Sequence, residues 1–213
     1  MARQTRSEHT RRTIIDAAVE LIDRRGYAHT GLGDILEQIE VTKGALYHHF
    51  DSKESLAIAI IEEAVERLDA AYRGDARSAP ALQGLIQGSL AAESLAGTER
   101  LVRAGTQLLV EFAKFNDVAA GVHRAWLADT TARLMQAQDD GDIRPDLDVD
   151  ALGRFLVSAL VGVNVVSTSI TGGADSVTRA MQAWEVLLPA LVPESALTYF
   201  REFLVRQAGR YRK

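Results

Sequence analysis

Several side chains in residues 41–53 could bind the backbone and bases of a nucleic acid. Lys43 supplies a mobile positive charge, and Gly44 would let the chain approach a groove without a side chain in the way. Tyr47 and His48 lie four and five residues beyond Lys43, so the three side chains reach one side of a single short helix. This spacing predicts a helix whose outer face reads DNA.

The neighbouring sequence supplies elements that would hold this helix in place. Leu46 and Phe50 are four residues apart and could anchor its other face to a core. A short helix is predicted near residues 33–39, and a longer one before it should end at Gly26. The apolar stripe of that longer helix consists of Ile14, Ala18, Leu21 and Ile22. Together these elements predict a helix-turn-helix.

The rest of the chain shows helical spacing and no convincing strand alternation. A long helix is predicted from Lys53 to about Ala71, with a break at residues 74–80. Further helices are predicted near residues 81–95, 99–115, 118–138, 149–170, 176–188 and 196–206, with Pro189 ending or kinking the fifth. We therefore predict an all-α fold. Its expected parts are a basic N-terminal arm (1–7), a three-helix helix-turn-helix domain (8–68) and an antiparallel helical domain (75–213).

Composition narrows the class of protein. The 213 residues include no cysteine, which excludes disulfides and thiol catalysis. We find neither an apolar run of about 18 residues nor a signal-peptide pattern, so we expect a cytoplasmic protein without a membrane partner. The net charge of −5 would argue against a nucleic-acid ligand, but residues 1–53 contain eight basic and eight acidic side chains. The excess of acidic side chains lies in residues 54–213. The attraction to phosphates depends on the charge near the binding face rather than on the net charge of the whole chain.

Enzymatic activity is the competing hypothesis from a different class. The five histidines show no metal-ligand spacing, and the chain has no nucleophile elbow or phosphate loop. We therefore expect no enzyme, no metal site and no cofactor. A helical interaction protein without DNA binding is another alternative, but it leaves the basic residues at 3–12 and 43–53 without a role.

The first seventy residues resemble the DNA-binding domain of the tetracycline-repressor (TetR) family. The matching residues are Ile14, Ala18, Gly26, Tyr27, Thr30, Ile35, Val41, Lys43, Gly44, Tyr47, His49, Phe50, Lys53 and Leu56. The resemblance implies a dimer on an operator in double-stranded DNA. The residues expected to bind DNA are Arg3, Gln4, Thr30, Thr42, Lys43, Gly44, Tyr47, His48 and Lys53, of which Thr30 would cap the second helix or contact a phosphate near it. Glu40 stands where the family commonly has glycine, so we expect a left-handed residue there, at a cost of roughly 1 kcal/mol.

Within that family the chain looks like the γ-butyrolactone (A-factor type) receptors. The similar segments are 1–4, 13–15, 23–27, 41–47, 102–105, 146–150 and 160–162, together with Trp126. The resemblance implies a repressor of antibiotic or secondary-metabolite genes that a small lactone releases. The alternative is a repressor of an efflux or catabolic gene that responds to a xenobiotic or an antibiotic.

The C-terminal half would then hold the small-molecule effector and the dimer interface. The candidate effector contacts are Leu109, Phe112, Trp126, Val163, Asn164 and Thr168, although for each apolar residue a filled core is the simpler interpretation. Similar receptors often have threonine where this chain has Val163. The candidate dimer contacts are Leu156, Leu160, Trp184 and Leu188, on two apolar helix faces that we expect to meet their symmetry mates.

Overall fold

The computed structural model describes the backbone of residues 2–76 and 79–211, and the side chains of that range except 2–5, 75, 76 and 208. The described chain is all-helical and contains no strand. Its helices are α1 (Ala2–Arg25), α2 (Leu32–Gln38), α3 (Lys43–His49), α4 (Lys53–Ala76), α5 (Ala81–Thr98), α6 (Arg100–Phe112), α7 (Asp117–Asp139), α8 (Val149–Thr171), α9 (Ser176–Leu191) and α10 (Glu194–Tyr211). The all-α prediction is confirmed.

The helices form two compact units. The first consists of Met1–Glu66 with Glu99–Ala120, and the second of Arg67–Thr98 with Gly121–Lys213. Helices α4 and α7 each begin in the first unit and end in the second.

The core of the first unit forms around α1. Its predicted stripe of Ile14, Ala18, Leu21 and Ile22 is buried, and it packs with Ile35, Leu46 and Phe50 from the next two helices. Gly26 ends α1 with a φ of 79°, a left-handed conformation that glycine adopts without a Cβ clash. This arrangement confirms the predicted end of the first helix.

Helix α6 belongs to the same unit and lies close to α1 and α4. A Cβ added at Gly105 would lie 2.2 Å from the Cβ of Ala64, so the two small residues allow the close approach of α6 and α4. The guanidinium of Arg103 donates to both carboxylate oxygens of Asp23, at 2.8 and 3.1 Å. This bidentate pair ties α6 to the end of α1.

The second unit has its own core between α5, α8, α9 and α10. Trp184 is fully buried, and its indole N–H donates to the hydroxyl of Ser89 at 2.9 Å. That hydroxyl donates in turn to the carbonyl of Ile86 at 2.9 Å, so the polar atoms of the buried pair are satisfied.

Two predicted breaks are wrong in detail. Helix α4 continues through Gly74 and ends at Ala76, because an isolated glycine lowers helix stability by only about 1 kcal/mol. Pro189 lies inside α9, which continues to Leu191. Pro189 removes only the backbone hydrogen bond of its own nitrogen, and the helix continues past it, with the N–H of Val192 donating to the carbonyl of Leu188.

Helix α8 corrects the expectation that no segment is apolar and long enough to cross a membrane. By length and composition α8 could do so, and only 11% of its most apolar window is buried within the protomer. One such helix is weak evidence for a membrane span. Its exposed large apolar side chains are Phe155, Val165, Val166 and Ile170.

Candidate nucleic-acid interface and effector region

The residues of the turn between α2 and α3 all have a negative φ, the usual range for residues other than glycine. Thr42 is the N-cap of α3, and its hydroxyl accepts from the N–H of Ala45 at 3.2 Å. No described residue other than glycine has a positive φ, so the left-handed conformation expected for Glu40 is wrong. The chain turns instead through an extended Ile39, whose carbonyl accepts from the N–H of Val41 at 2.9 Å.

Helix α3 has one buried and one exposed face, as the residue spacing predicts. Leu46 and the following Phe50 are buried, whereas Lys43, Tyr47 and His48 are exposed. The ammonium of Lys43 lies 5.9 Å from the centroid of the Tyr47 ring. A Cβ at the exposed Gly44 would meet no atom within 4 Å, so no packing inside the protein requires glycine there. The exposed face could therefore accept a close partner.

Lys53 starts α4 and is held by an aromatic ring. Its ammonium lies 3.9 Å from the centroid of the Tyr27 ring, which is cation–π geometry. The rings of Tyr27 and Phe112 of α6 pack in a T-shaped arrangement, with ring centroids 5.0 Å apart. A reciprocal pair of hydrogen bonds between Ser52 and Ser55 caps the same end of α4.

Thr30 does not have the role expected for it. The residue is buried, and its hydroxyl donates to the carbonyl of Gly26 at 2.9 Å. The N-cap of α2 is Gly31, whose N–H donates to the carboxylate of Asp34 at 2.7 Å. Thr30 therefore stabilises the turn after α1 and presents no hydroxyl to a phosphate.

The predicted N-terminal arm begins the first helix. Residues 2–7 belong to α1, and the side chains of Arg3 and Gln4 lie outside the described part of the structure. Arg11 is a further candidate DNA contact, which the family resemblance did not include. Its guanidinium carbon lies 5.5 Å from the ring centroid of Phe50, at the end of α3. The signal in the sequence was the excess of arginine over acidic residues at positions 3–12.

The end of α3 also carries a perturbed histidine. Burial lowers the pKa of His49, and the neighbouring charges of His48 and Arg11 lower it further. The His49 imidazole is therefore held towards its neutral form, while Lys43, Lys53 and Arg11 provide the positive charges near this face.

The candidate effector residues are divided between the two units. Leu109 and Phe112 are buried in the first unit, and Phe112 is enclosed by Tyr27 and Phe115. In the second unit, Trp126 is half-buried and its ring lies 5.6 Å from that of His123. Burial lowers the pKa of His123.

The remaining effector candidates lie on α8 in the second unit. Val163, Asn164 and Thr168 are each half-buried. The amide of Asn164 donates to the carboxyl of Glu93 on α5 at 3.5 Å, the long limit for a hydrogen bond. Asn164 therefore faces α5, and Glu93 is a polar neighbour that the sequence did not single out.

Three of the four expected dimer contacts are core residues of the protomer. Leu156, Trp184 and Leu188 are buried among residues of their own chain, so the prediction that they form an exposed face is wrong. Leu160 is half-buried against the same core. The exposed apolar side chains of α8 and α9 are instead Phe155, Val165, Val166, Ile170 and Val186.

The described residues contain no candidate metal site, because no group of three or more His, Asp or Glu side chains among them could hold an ion. The arrangement offers instead a helix-turn-helix with an exposed, basic second helix, joined by α4 to a second helical unit. This is the architecture of a helix-turn-helix DNA-binding regulator with a second helical unit.

Comparison with known proteins agrees with this class. Residues 14–60 match the family described as bacterial regulatory proteins, tetR family, and residues 79–193 match the tetracyclin repressor-like C-terminal domain. The chain belongs to the TetR family of transcriptional regulators.

Three relatives place it within the family. The chain is 31% identical to the A-factor receptor protein of Streptomyces griseus, over 94% of this chain and 70% of that protein. It is similar to a solved γ-butyrolactone receptor (ArpA-like protein) at 30% identity and a TM-score of 0.79, covering 97% and 99% of the two chains. It is also similar to CprB from Streptomyces coelicolor, solved with its operator, at 33% identity, a TM-score of 0.79 and coverage of 94% and 97%. The protein is thus a TetR-type transcriptional repressor related to γ-butyrolactone receptors.

Proposed function

We propose that this repressor binds a palindromic operator as a homodimer in the cytoplasm and is released by a small γ-butyrolactone-like signalling molecule. The genes it controls are expected to include those of antibiotic or other secondary-metabolite synthesis. The exposed face of α3 carries the DNA-binding part of this proposal, because Lys43, Tyr47 and His48 stand together on a helix whose other face is buried. The similarity to receptors for γ-butyrolactones supports the effector class.

Dimerisation would cover the exposed face of α8. Phe155, Val166 and Ile170 project from this face, and a Cβ at Gly162 would meet nothing within 4 Å there. A glycine on an exposed apolar helix face allows a second helix to approach closely. We therefore propose a second copy of this chain as the partner of α8, in place of the buried residues that the sequence suggested.

This interface is tested by the oligomeric state of Phe155→Glu and Ile170→Glu. Each places a charge where the proposed partner helix packs, so both variants should elute and scatter light as monomers at concentrations where the wild type is a dimer. Val205→Glu on α10 is the matched control, because Val205 is also exposed and apolar but lies outside the proposed interface. Dimers of unchanged stability in both α8 variants would contradict the assignment.

Coupling between effector and operator would use α4. This helix is continuous from Lys53, beside the reading helix, to Ala76 in the second unit. A shift of a few ångströms between two reading heads spoils their match to half-sites about one DNA turn apart. The effector must then bind the DNA-free form more tightly, and a coupling of about 1–3 kcal/mol is typical.

A mobility-shift assay with the gene's own upstream DNA tests the whole proposal. The purified protein should bind that DNA, and an alkyl-substituted γ-butyrolactone should release it. Release by an antibiotic or another xenobiotic but not by the lactone would favour the alternative repressor of an efflux or catabolic gene. Failure to bind any upstream fragment would contradict the proposed operator.

Trp126 is the effector contact that we propose first among the candidate residues, because its half-buried indole could cover a lactone ring. Trp126→Ala should bind operator as the wild type does but require a higher effector concentration for release. Asn164 and Thr168 lie one turn apart on α8 and would supply polar contacts. Release of the Trp126→Ala complex at the wild-type concentration would show that Trp126 only fills the core.

A further inference from the structure

Glu93 is a buried acid with no cation beside it among the described residues. Its side chain is 7% exposed, and its only side-chain partner among the described residues is the amide of Asn164, at 3.5 Å. Burial raises the pKa of Glu93 to about 7, and no neighbouring positive charge opposes the effect. A carboxyl group in such surroundings costs stability, because it has lost water without gaining strong hydrogen bonds.

The backbone holds Glu93 firmly in place despite the weak contact of its carboxyl. The hydroxyl of Ser176 on α9 donates to the backbone carbonyl of Glu93 at 2.8 Å, and Ser176 is itself buried. Leu90 on the same helix belongs to the core of the unit, and Leu160 and Val163 on α8 pack against that core. The backbone of Glu93 is therefore fixed in a buried part of the unit, and its carboxyl has only the long hydrogen bond from Asn164.

A second acceptor on α5 also has an unused hydrogen-bonding capacity. The side-chain oxygen of Gln87 is buried and has no hydrogen-bond partner among the described residues. Buried acceptors normally have a donor, so each unsatisfied one calls for an explanation. Helix α5 of the proposed sensing unit thus carries two acceptors with spare capacity, the weakly bonded carboxyl of Glu93 and the unpartnered oxygen of Gln87.

We propose that Glu93, together with Asn164, is the polar anchor of the effector and binds a group of the ligand that donates hydrogen bonds, a hydroxyl or an amine. This inference rests on the proposed function as an effector-released repressor. The carboxyl accepts from the donor, and the amide of Asn164 donates to a carbonyl oxygen of the same ligand. An effector with one hydroxyl and one ring carbonyl would thus satisfy both side chains at once.

The anchor explains why a destabilising acid stands in the core. A ligand hydroxyl gives the carboxylate the charge-assisted hydrogen bond that the free protein lacks, and such bonds are roughly twice as strong as neutral ones. A purely structural Glu93 would instead affect stability without distinguishing between ligands. Ligand discrimination is therefore the measurement that separates the two roles.

The test compares two probes for release of the operator. One is a γ-butyrolactone with an alkyl chain and a hydroxymethyl group, and the other is the same molecule with the hydroxyl methylated, which removes the donor. The wild type should respond to the hydroxyl probe at a concentration lower by about tenfold or more, since a lost hydrogen bond to a charged group is worth that factor. In Glu93→Leu this preference should disappear.

Glu93→Gln is a second variant that keeps the shape of the side chain and an acceptor oxygen. It should retain a reduced preference for the hydroxyl probe, because the neutral amide forms a weaker bond than the carboxylate. Glu185→Leu is the matched control, since Glu185 is an exposed acid on α9 and should leave the preference unchanged.

The outcomes separate the inference from the proposed function. Equal response of the wild type to both probes, or a full hydroxyl preference in Glu93→Leu, would overturn the anchor while leaving the lactone effector intact. If neither probe releases a complex that the wild type forms with its operator, the lactone effector is wrong, and the anchor proposed for it is overturned as well.

Discussion

The ammonium of Lys53 lies 3.9 Å from the centre of the Tyr27 ring, and that ring packs at a steep angle against the ring of Phe112 on α6. The ring restricts the conformations of the Lys53 side chain, so this side chain loses less conformational freedom when its ammonium binds a phosphate. Tyr27 is therefore a positioning residue for a candidate DNA contact, although it lies sixteen residues before the reading helix.

A double-mutant cycle tests this relationship. Lys53→Ala should weaken operator binding, and Tyr27→Leu should weaken it by about 0.5–1 kcal/mol while preserving an apolar contact with Phe112. Because Tyr27 acts through Lys53, its replacement should have almost no further effect in the Lys53→Ala background. Equal effects of Tyr27→Leu in both backgrounds would mean that the ring only packs against α6.

The exposed face of α3 should determine operator affinity. Lys43→Ala and Tyr47→Phe each remove one polar group from this face and should each cost about 1–3 kcal/mol of binding free energy, with fold and dimer unchanged. Fluorescence anisotropy with labelled operator measures the loss. Arg206→Ala on α10 is the control, because it also removes one exposed basic side chain but lies in the second unit. Wild-type affinity in both α3 variants would remove this helix from the interface.

Binding should depend steeply on salt despite the acidic composition of the chain. Arg6, Arg11, Lys43 and Lys53 of two protomers could together neutralise roughly six to ten phosphates, which gives a strongly negative slope of log affinity against log salt concentration. Deletion of residues 1–6 should make the slope shallower if the basic start of α1 reaches the DNA. A nearly flat slope for the full chain would show that these basic residues do not touch phosphates.

Gly105→Ala should destabilise the first unit. The new methyl group would lie 2.2 Å from the Cβ of Ala64, so α6 and α4 must move apart, at a cost of about 1–3 kcal/mol. Urea unfolding measures this loss. Ala64→Gly in the same background should recover part of it, because it removes the atom that the new methyl group meets. A Gly105→Ala variant as stable as the wild type would mean that the two helices separate without cost.

Glu93→Gln should stabilise the protein in a pH-dependent way. The pKa of Glu93 is raised from 4.5 to about 7 in the folded state, so ionisation opposes folding as pH rises between these values. The advantage of the variant over the wild type should be small near pH 4 and reach the order of 3 kcal/mol above about pH 7. Thermal unfolding of both proteins across this range measures it, and a constant difference at all pH values would contradict the buried ionisation.

The helical spacing of apolar residues predicted most of the fold, because apolar side chains recur at this spacing on the face of a helix that is buried. It placed α3 and α8 close to their observed bounds, predicted the end of α1 at Gly26 and identified Leu46 and Phe50 as the buried side of α3. It could not say what covers an apolar face. Trp184 and Leu188 look the same in sequence whether their own chain or a second copy buries them, and the choice depends on α5, which is distant in sequence.

Local conformation was the harder part of the site to predict. The turn at Glu40 was expected to require a positive φ, yet an extended Ile39 redirects the chain instead. Thr30 matched the family pattern, but its hydroxyl binds the backbone at Gly26. Glu93 belongs to no motif, and only its burial beside Asn164 brings it to attention. These features depend on three-dimensional contacts that residue spacing does not encode.

The apolar surface of α8 has a consequence for gene dosage. If this surface is covered only when two chains meet, the amount of paired repressor at low expression grows with the square of the chain concentration. Halving synthesis would then reduce the operator-competent species about fourfold in that regime. Sister cells that inherit unequal numbers of chains would therefore differ more in the amount of operator-competent repressor than in the number of chains.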